Sequence, residues 1–172
     1  MNEGATDKHV VFQKMICNAM PLLDQVDHSI LFFKFLDFTY SNCNDRLVNF
    51  SRLNTKKRII GYEDKDLPWA EDWQFYRGID TQVLAGKSKT ILMDVRVASG
   101  ERIAAYQQKI PIYDPTSGDI IGLMVKMQEH RNSIANSFIS IKNHDKEIIT
   151  GITDLPKQYL LQRYSKYGLT FR

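Results

Sequence analysis

KIPIYDPTSGDIIGLMVKMQEH, residues 109–130, reads as a strand, a tight polar turn and a second strand. Within the turn, Pro115 presets one backbone angle and Gly118 permits a left-handed one, as a reversal between two strands requires. The same period of two begins upstream at Lys89, where Ile91, Met93, Val95 and Val97 alternate with Leu92, Asp94, Arg96 and Ala98. Ser99-Gly100 turns the chain. Ala104, Tyr106, Gln108, Ile110 and Ile112 then share a face opposed by Gln107 and Lys109, and Ile121, Leu123, Val125 and Met127 continue the apolar face. The spacing predicts a three-stranded antiparallel meander.

Before residue 89 the pattern is mixed. The run SILFFKFLDFTYSN is rich in aromatic and β-branched residues and carries Leu36-Asp37 where a turn between two strands falls. Asn42 or Asn44 can cap a helix over NDRLVNFSRL. Thr55 can cap a short helix, KKRII, which Gly61 ends. A longer helix over about 69–85 sets Trp69, Trp73, Tyr76, Ile79 and Val83 on one stripe and ends at Gly86. Gly78 inside it costs about 1 kcal/mol relative to Ala, so tertiary packing is expected to hold that position. Two strands, several helices and three strands in that order describe an α+β domain: a five-stranded antiparallel sheet with helices over one face.

Ahead of this domain, residues 6–20 carry Val10, Val11, Met15, Ile16 and Met20 at helical spacing. Pro21 is expected to end that helix and start a second short one at an angle. Val11, Met15 and Leu22, with Asn18 between them, form a near-heptad seam that serves either a dimer contact or packing on the helix's own domain. After the meander, residues 131–156 allow either another hairpin around Asn143-His144-Asp145 or an irregular extension, and a helix follows from Lys157 to about Gly168. The divisions are thus a helical extension over 1–27, a domain over 28–130, and an extension or linker over 131–172.

Composition narrows the classes of function. A formal net charge of +3, with basic residues spread along the chain, does not mark a nucleic-acid-binding surface. Cys17 and Cys43 suit neither a disulfide framework nor a zinc pattern. No apolar run approaches the ~20 residues that span a bilayer, and MNEGATDKHVV lacks a signal-peptide pattern, so a cytoplasmic protein is expected. AGKSK at 85–89 echoes a phosphate loop, but Thr81 stands where that loop needs glycine, and a helix precedes where a strand should. Asp24, Asp27 and His28 match no metal-ligand spacing. No Gly-x-Ser-x-Gly elbow is present.

The aromatic set Trp69, Trp73, Tyr76 and Tyr106 serves equally as plain core or as the wall of a small-molecule cavity, with Gln108 as its hydrogen-bonding handle. A buried Gln108 must find partners. Tyr40, Met93 and Leu123 complete the candidate ligand-binding set. No metal site and no catalytic residues are expected. A third class is a small cone-shaped α+β enzyme using a buried carboxylate such as Asp94, a reading that an exposed Asp94 would undercut.

The segments SILFFKFLDFTYSNCNDRLVNF, IIGYEDKDLPW, YRGIDTQVLAGKS and KIPIYDPTSGDIIGLMVKM together resemble a PAS sensory domain of bacterial signalling proteins. The matching positions are Asn42 or Asn44, residues 60–69, Asp80, Lys109 with Pro111, and residues 118–122; the likeness covers about 28–128. Departures are Lys34-Phe35, where the family often has Lys-Asp, and Met127-Gln128-Glu129 in place of an Asp-Ile-Thr exit. The central helix lacks the Asn-Cys-Arg motif of flavin-binding members, which Asn42-Cys43-Asn44 echoes only in part, and the long helix lacks the His of haem-binding members. YGLTFR, 167–172, resembles the start of the helix-turn-helix domain of LuxR-type regulators. The resemblance implies a non-catalytic sensory module, homodimeric, taking an unidentified small molecule and reaching DNA only through a domain after Arg172; the alternative is the input module of a histidine kinase or other signalling enzyme.

Overall fold

The computed structural model describes residues 3–26 and 29–129. Strands β1 (Ile30–Lys34), β2 (Tyr40–Cys43), β3 (Lys89–Arg96), β4 (Arg102–Tyr113) and β5 (Ile120–Glu129) form one antiparallel sheet in the order β2-β1-β5-β4-β3. The meander is β3-β4-β5, as its alternation predicts. The first hairpin docks beside β5, so the chain's two ends of sheet meet at its centre.

Helices α2 (Asp45–Ser51) and α3 (Trp73–Leu84), with one-turn 3-10 helices at Lys56–Arg58, Asp64–Asp66 and Ala70–Asp72, belong to the inner face. Their starts are set locally. Asn44, not Asn42, caps α2 by accepting from the Leu47 amide, and Thr55 caps the first 3-10 turn by accepting from Lys57. Gly61 and Gly86 take the left-handed backbone that ends their elements (φ 86° and 89°).

Two bulges decide which side chains face inward. Lys34 pairs with Tyr40 and Phe33 with Asn42, leaving Ser41 as an extra residue. That insertion brings Tyr40 onto the core side together with Cys43, although the two are an odd number of residues apart. A second shift, where Ile112 pairs with Gly122 but Tyr113 with Ile120, leaves Ile121 unpaired. Ile121 therefore packs on the outer face, while Leu123, Val125 and Met127 face inward. On β4 the expected facing is reversed: Gln107 and Lys109 are buried, Gln108 is exposed, and Tyr106 is half-buried.

The outer face is covered by α1 (Glu3–Val26), which runs unbroken through Pro21. The proline removes one amide from the ladder, but Cys17 and Pro21 both face solvent, where water can satisfy the carbonyl left over. Phe12, Ile16 and Met20, four residues apart, pack on Phe33 and Ile121, with Val11, Met15 and Leu23 at the flanks. The near-heptad seam is thereby divided: Val11 and Met15 lean on the sheet, whereas Leu22 is exposed along with Asn18. His9 stacks on Phe35 at 4.2 Å, and Lys8 pairs with Asp119.

Gly122 makes that docking possible. A Cβ there would lie 2.6 Å from both the Phe12 ring and the Lys34 carbonyl oxygen. Gly122→Ala is expected to cost about 1–3 kcal/mol and to expose α1 to limited proteolysis, measured beside denaturant unfolding. Gly78 behaves oppositely. It is exposed and a Cβ would meet nothing within 4 Å, so packing does not hold it as expected; Gly78→Ala should raise stability by about 1 kcal/mol in the same titration.

Candidate functional site

Four charged side chains meet on the inner face. Lys34, at the end of β1, donates to Asp64 Oδ2 at 2.5 Å and to Asp80 Oδ2 at 2.8 Å. Lys109, from β4, donates to Asp80 Oδ1 at 2.5 Å. Asp64 Oδ1 accepts in addition from the Tyr40 hydroxyl at 2.8 Å and from the Trp69 indole at 2.9 Å. All four charges are buried, Asp80 completely. Two ammonium and two carboxylate groups sum to zero, which is the condition for leaving water together.

Alternation explains the placement of both lysines. Ile30, Phe32 and Lys34 share one face of β1, and Gln107 and Lys109 share one face of β4. Asp64 comes from the second 3-10 turn, and Asp80 from the buried stripe of α3. The chain of charges therefore ties two strands to the helical layer.

Burial and pairing compete differently at each group. At Lys34 burial works against the ammonium, but Asp64 and Asp80 together outweigh it and hold its pKa above the ordinary value. At Lys109 burial wins: Asp80 offsets it only in part, Lys34 adds repulsion, and the pKa lies below the ordinary value. Burial also opposes the Asp80 carboxylate, yet Lys109 and Lys34 overcome it and lower its pKa. Tyr40 is raised well above the usual phenol range by burial and by Asp64. Cys43, buried in the core, is pushed up to about 11 by burial.

Beside this cluster lies a narrow cavity in which the centre of a water-sized sphere has about 20 Å³, room for roughly one ordered water. Its polar lining is Lys34, Asp64, Lys109 and Gln107, and its apolar lining includes Phe32, Leu47, Phe50, Val95 and Met127. A larger groove at the turn between β3 and β4, bounded by Arg58, Tyr62, Pro68 and Gly100, is open to solvent.

Of the candidate residues, Tyr40, Trp69 and Tyr76 line the cavity. Met93 and Leu123 are fully buried in the same core but do not reach it. Trp73 is half-buried beneath the Arg77 guanidinium, 5.7 Å from its ring centre, and Tyr106 and Gln108 belong to the other side of β4. The handle on the cavity is Gln107, whose amide donates to the Met127 sulfur at 3.3 Å. Asp94 is buried, but it alternates with Met93 and Val95 and so lies across the sheet from the cavity. Lys34 and Asp64 went unrecognised as site residues; a lysine in phase with Ile30 and Phe32 is the signal that marks the first, and nothing distinguishes Asp64 from Asp66.

No family model and no curated protein matches the chain. Solved structures do. VqmA bound to DPO superposes with a TM-score of 0.60 at 19% identity, over 90% of this chain and 82% of that one. The Vibrio cholerae VqmA dimer without target DNA, described with LuxR-type receptors, gives 0.59 at 20%, over 70% of this chain; this chain spans 55% of that one. The PAS domain of Bordetella pertussis BvgS gives 0.56 at 17%, over 74% and 96%. The chain has the PAS fold. Its 167–172 segment and the expected elements of 131–168 lie outside the described residues.

Asp80 is the link between both lysines. Its stabilising effect is complete above the ordinary carboxylate value of 3.8 and is lost as pH falls through the lower folded value. Asp80→Asn should destabilise by about 3–5 kcal/mol near neutral pH and flatten the acid limb, read from unfolding titrations between pH 7 and 2.5.

Proposed function

We propose that the chain is a non-catalytic sensory module that takes a small, largely apolar molecule with one hydrogen-bonding edge, and that it serves as the input module of a LuxR-type transcription regulator. The observation that carries this reading is the cavity set against four buried charges; with room for roughly one water, it takes a ring only as its apolar wall moves apart. An apolar interior would pack more cheaply at that position, and the cluster instead leaves donors and acceptors at one end of a slot whose other end is hydrocarbon and aromatic.

Lys109 is the group through which such a molecule gains most. Its ammonium donates to one carboxylate, Asp80, where that of Lys34 donates to two, so a ligand acceptor beside it adds a partner. Tyr40, Trp69 and Tyr76 give the cavity aromatic walls, and Gln107 offers a second polar contact. Binding transmits a signal only through different affinities for two arrangements of the protein. The module works as a homodimer with α1 at or near the contact; 131–172 is the connection to a DNA-binding effector. The likeness to VqmA, described as a dimer in the absence of target DNA and as bound to DPO, supports this reading.

Native mass spectrometry of gently purified protein tests it, followed by thermal shift with small neutral heteroaromatic compounds. A retained mass, or stabilisation of about 2.7 kcal/mol at a hundredfold excess over Kd that Lys109→Met abolishes, is the expected result. The absence of both a retained mass and any stabilisation would overturn the proposal.

A further inference from the structure

The interior cavity shares one wall residue with a pocket at the surface. That outer pocket, about 250 Å³, has Ile30, Ile103 and Glu129 of the sheet on one side and Arg46, Asn49 and Arg52 of the α2 region on the other. Phe50 lines both spaces. The strands show that the two are successive stations on one surface: Ile30 is two residues from Phe32, Glu129 two from Met127, and Ile103 four from Gln107, so each pair shares the inner face. Phe32, Met127 and Gln107 line the cavity, and the pairings Ile30 with Met127 and Ala105 with Glu129 place all three steps in the same direction. Two residues of strand span ~6.6 Å.

The backbone that carries Phe50 is fixed at both ends. Asn44 accepts from the Leu31 amide at 3.1 Å and donates to the Ser29 carbonyl at 2.9 Å. At the other end the Ala98 amide donates to the Ser51 carbonyl at 2.9 Å, and Arg52 turns the chain with φ 60°. Movement at this point is thus rotation of a side chain rather than displacement of the helix.

We propose that Phe50 is a gate and the outer pocket its vestibule, so that a molecule reaches the cavity by passing Phe50 between α2 and the β1-β5-β4 face. This rests on the reading that the cavity takes a ligand. It also narrows the ligand: Ile30 and Ile103 line the way, Glu129 and Arg52 flank it with opposite charges, and any ion would have to shed its water there. The path suits a neutral molecule no wider than a phenyl ring.

Acrylamide, a small neutral planar quencher, tests the route through the fluorescence of Trp69 in a Trp73→Phe background. Phe50→Ala is expected to raise the quenching constant several-fold, Phe50→Leu to raise it less, and Ile103→Phe added to either to bring it back. Phe50→Leu carries the test if the alanine variant melts early. Equal constants in all variants, or a rise that Ile103→Phe leaves untouched, would overturn the gate. Raised access in a protein that binds no compound supports the gate and removes the sensor reading; unchanged access in a protein that does bind removes the gate alone.

Discussion

Asp80 accepts from two lysines that come from strands on opposite sides of β5, and the arrangement of the inner face follows from that bridge. Without it Lys34 would keep only Asp64, and Lys109 would be a buried cation that has lost the carboxylate it donates to. With it, α3 is held over the middle of the sheet, and Asp64 brings in the second 3-10 turn, Tyr40 and Trp69. The polar wall of the cavity is therefore also the fastening between sheet and helices.

Lys34 has a second connection through the sheet. Its ammonium lies among the carboxylates inside, while its carbonyl oxygen and the Phe12 ring both border the point that a Gly122 Cβ would occupy. A change in the position of β1 at this residue is felt on both faces. The interior site and the amino-terminal helix are thus neighbours in space, although none of the described side chains of α1 lines the cavity.

The meander was legible because its alternation is long and its turns contain Gly and Pro; the first hairpin was legible from aromatic content and Leu36-Asp37. What alternation could not supply was phase. Nothing in AAYQQKIP announces whether Gln107 or Gln108 points inward, since each phase offers apolar and polar residues, and partner strands decide it. The bulges at Ser41 and Ile121 reset the phase of Tyr40 and Ile121, for which a period of two has no provision. Pro21 misleads for a different reason: whether a proline ends a helix depends on whether water reaches the carbonyl it leaves unpaired, which is a property of the docked face. Trp69 and Tyr76 of the cavity wall were visible in a helical stripe, but its charged members come from three separate elements and converge only in the fold.

The two thiols differ in a way that makes α1 observable. Cys43 is sealed in the core with its thiolate suppressed, whereas Cys17 stands on the solvent side of α1 beside Gln13. A thiol-directed dye or spin label added to the native protein at neutral pH attaches to Cys17, giving a reporter on the helix with no engineered residue. Distances between two such labels in an assembled pair would register any rearrangement of that helix as it happens.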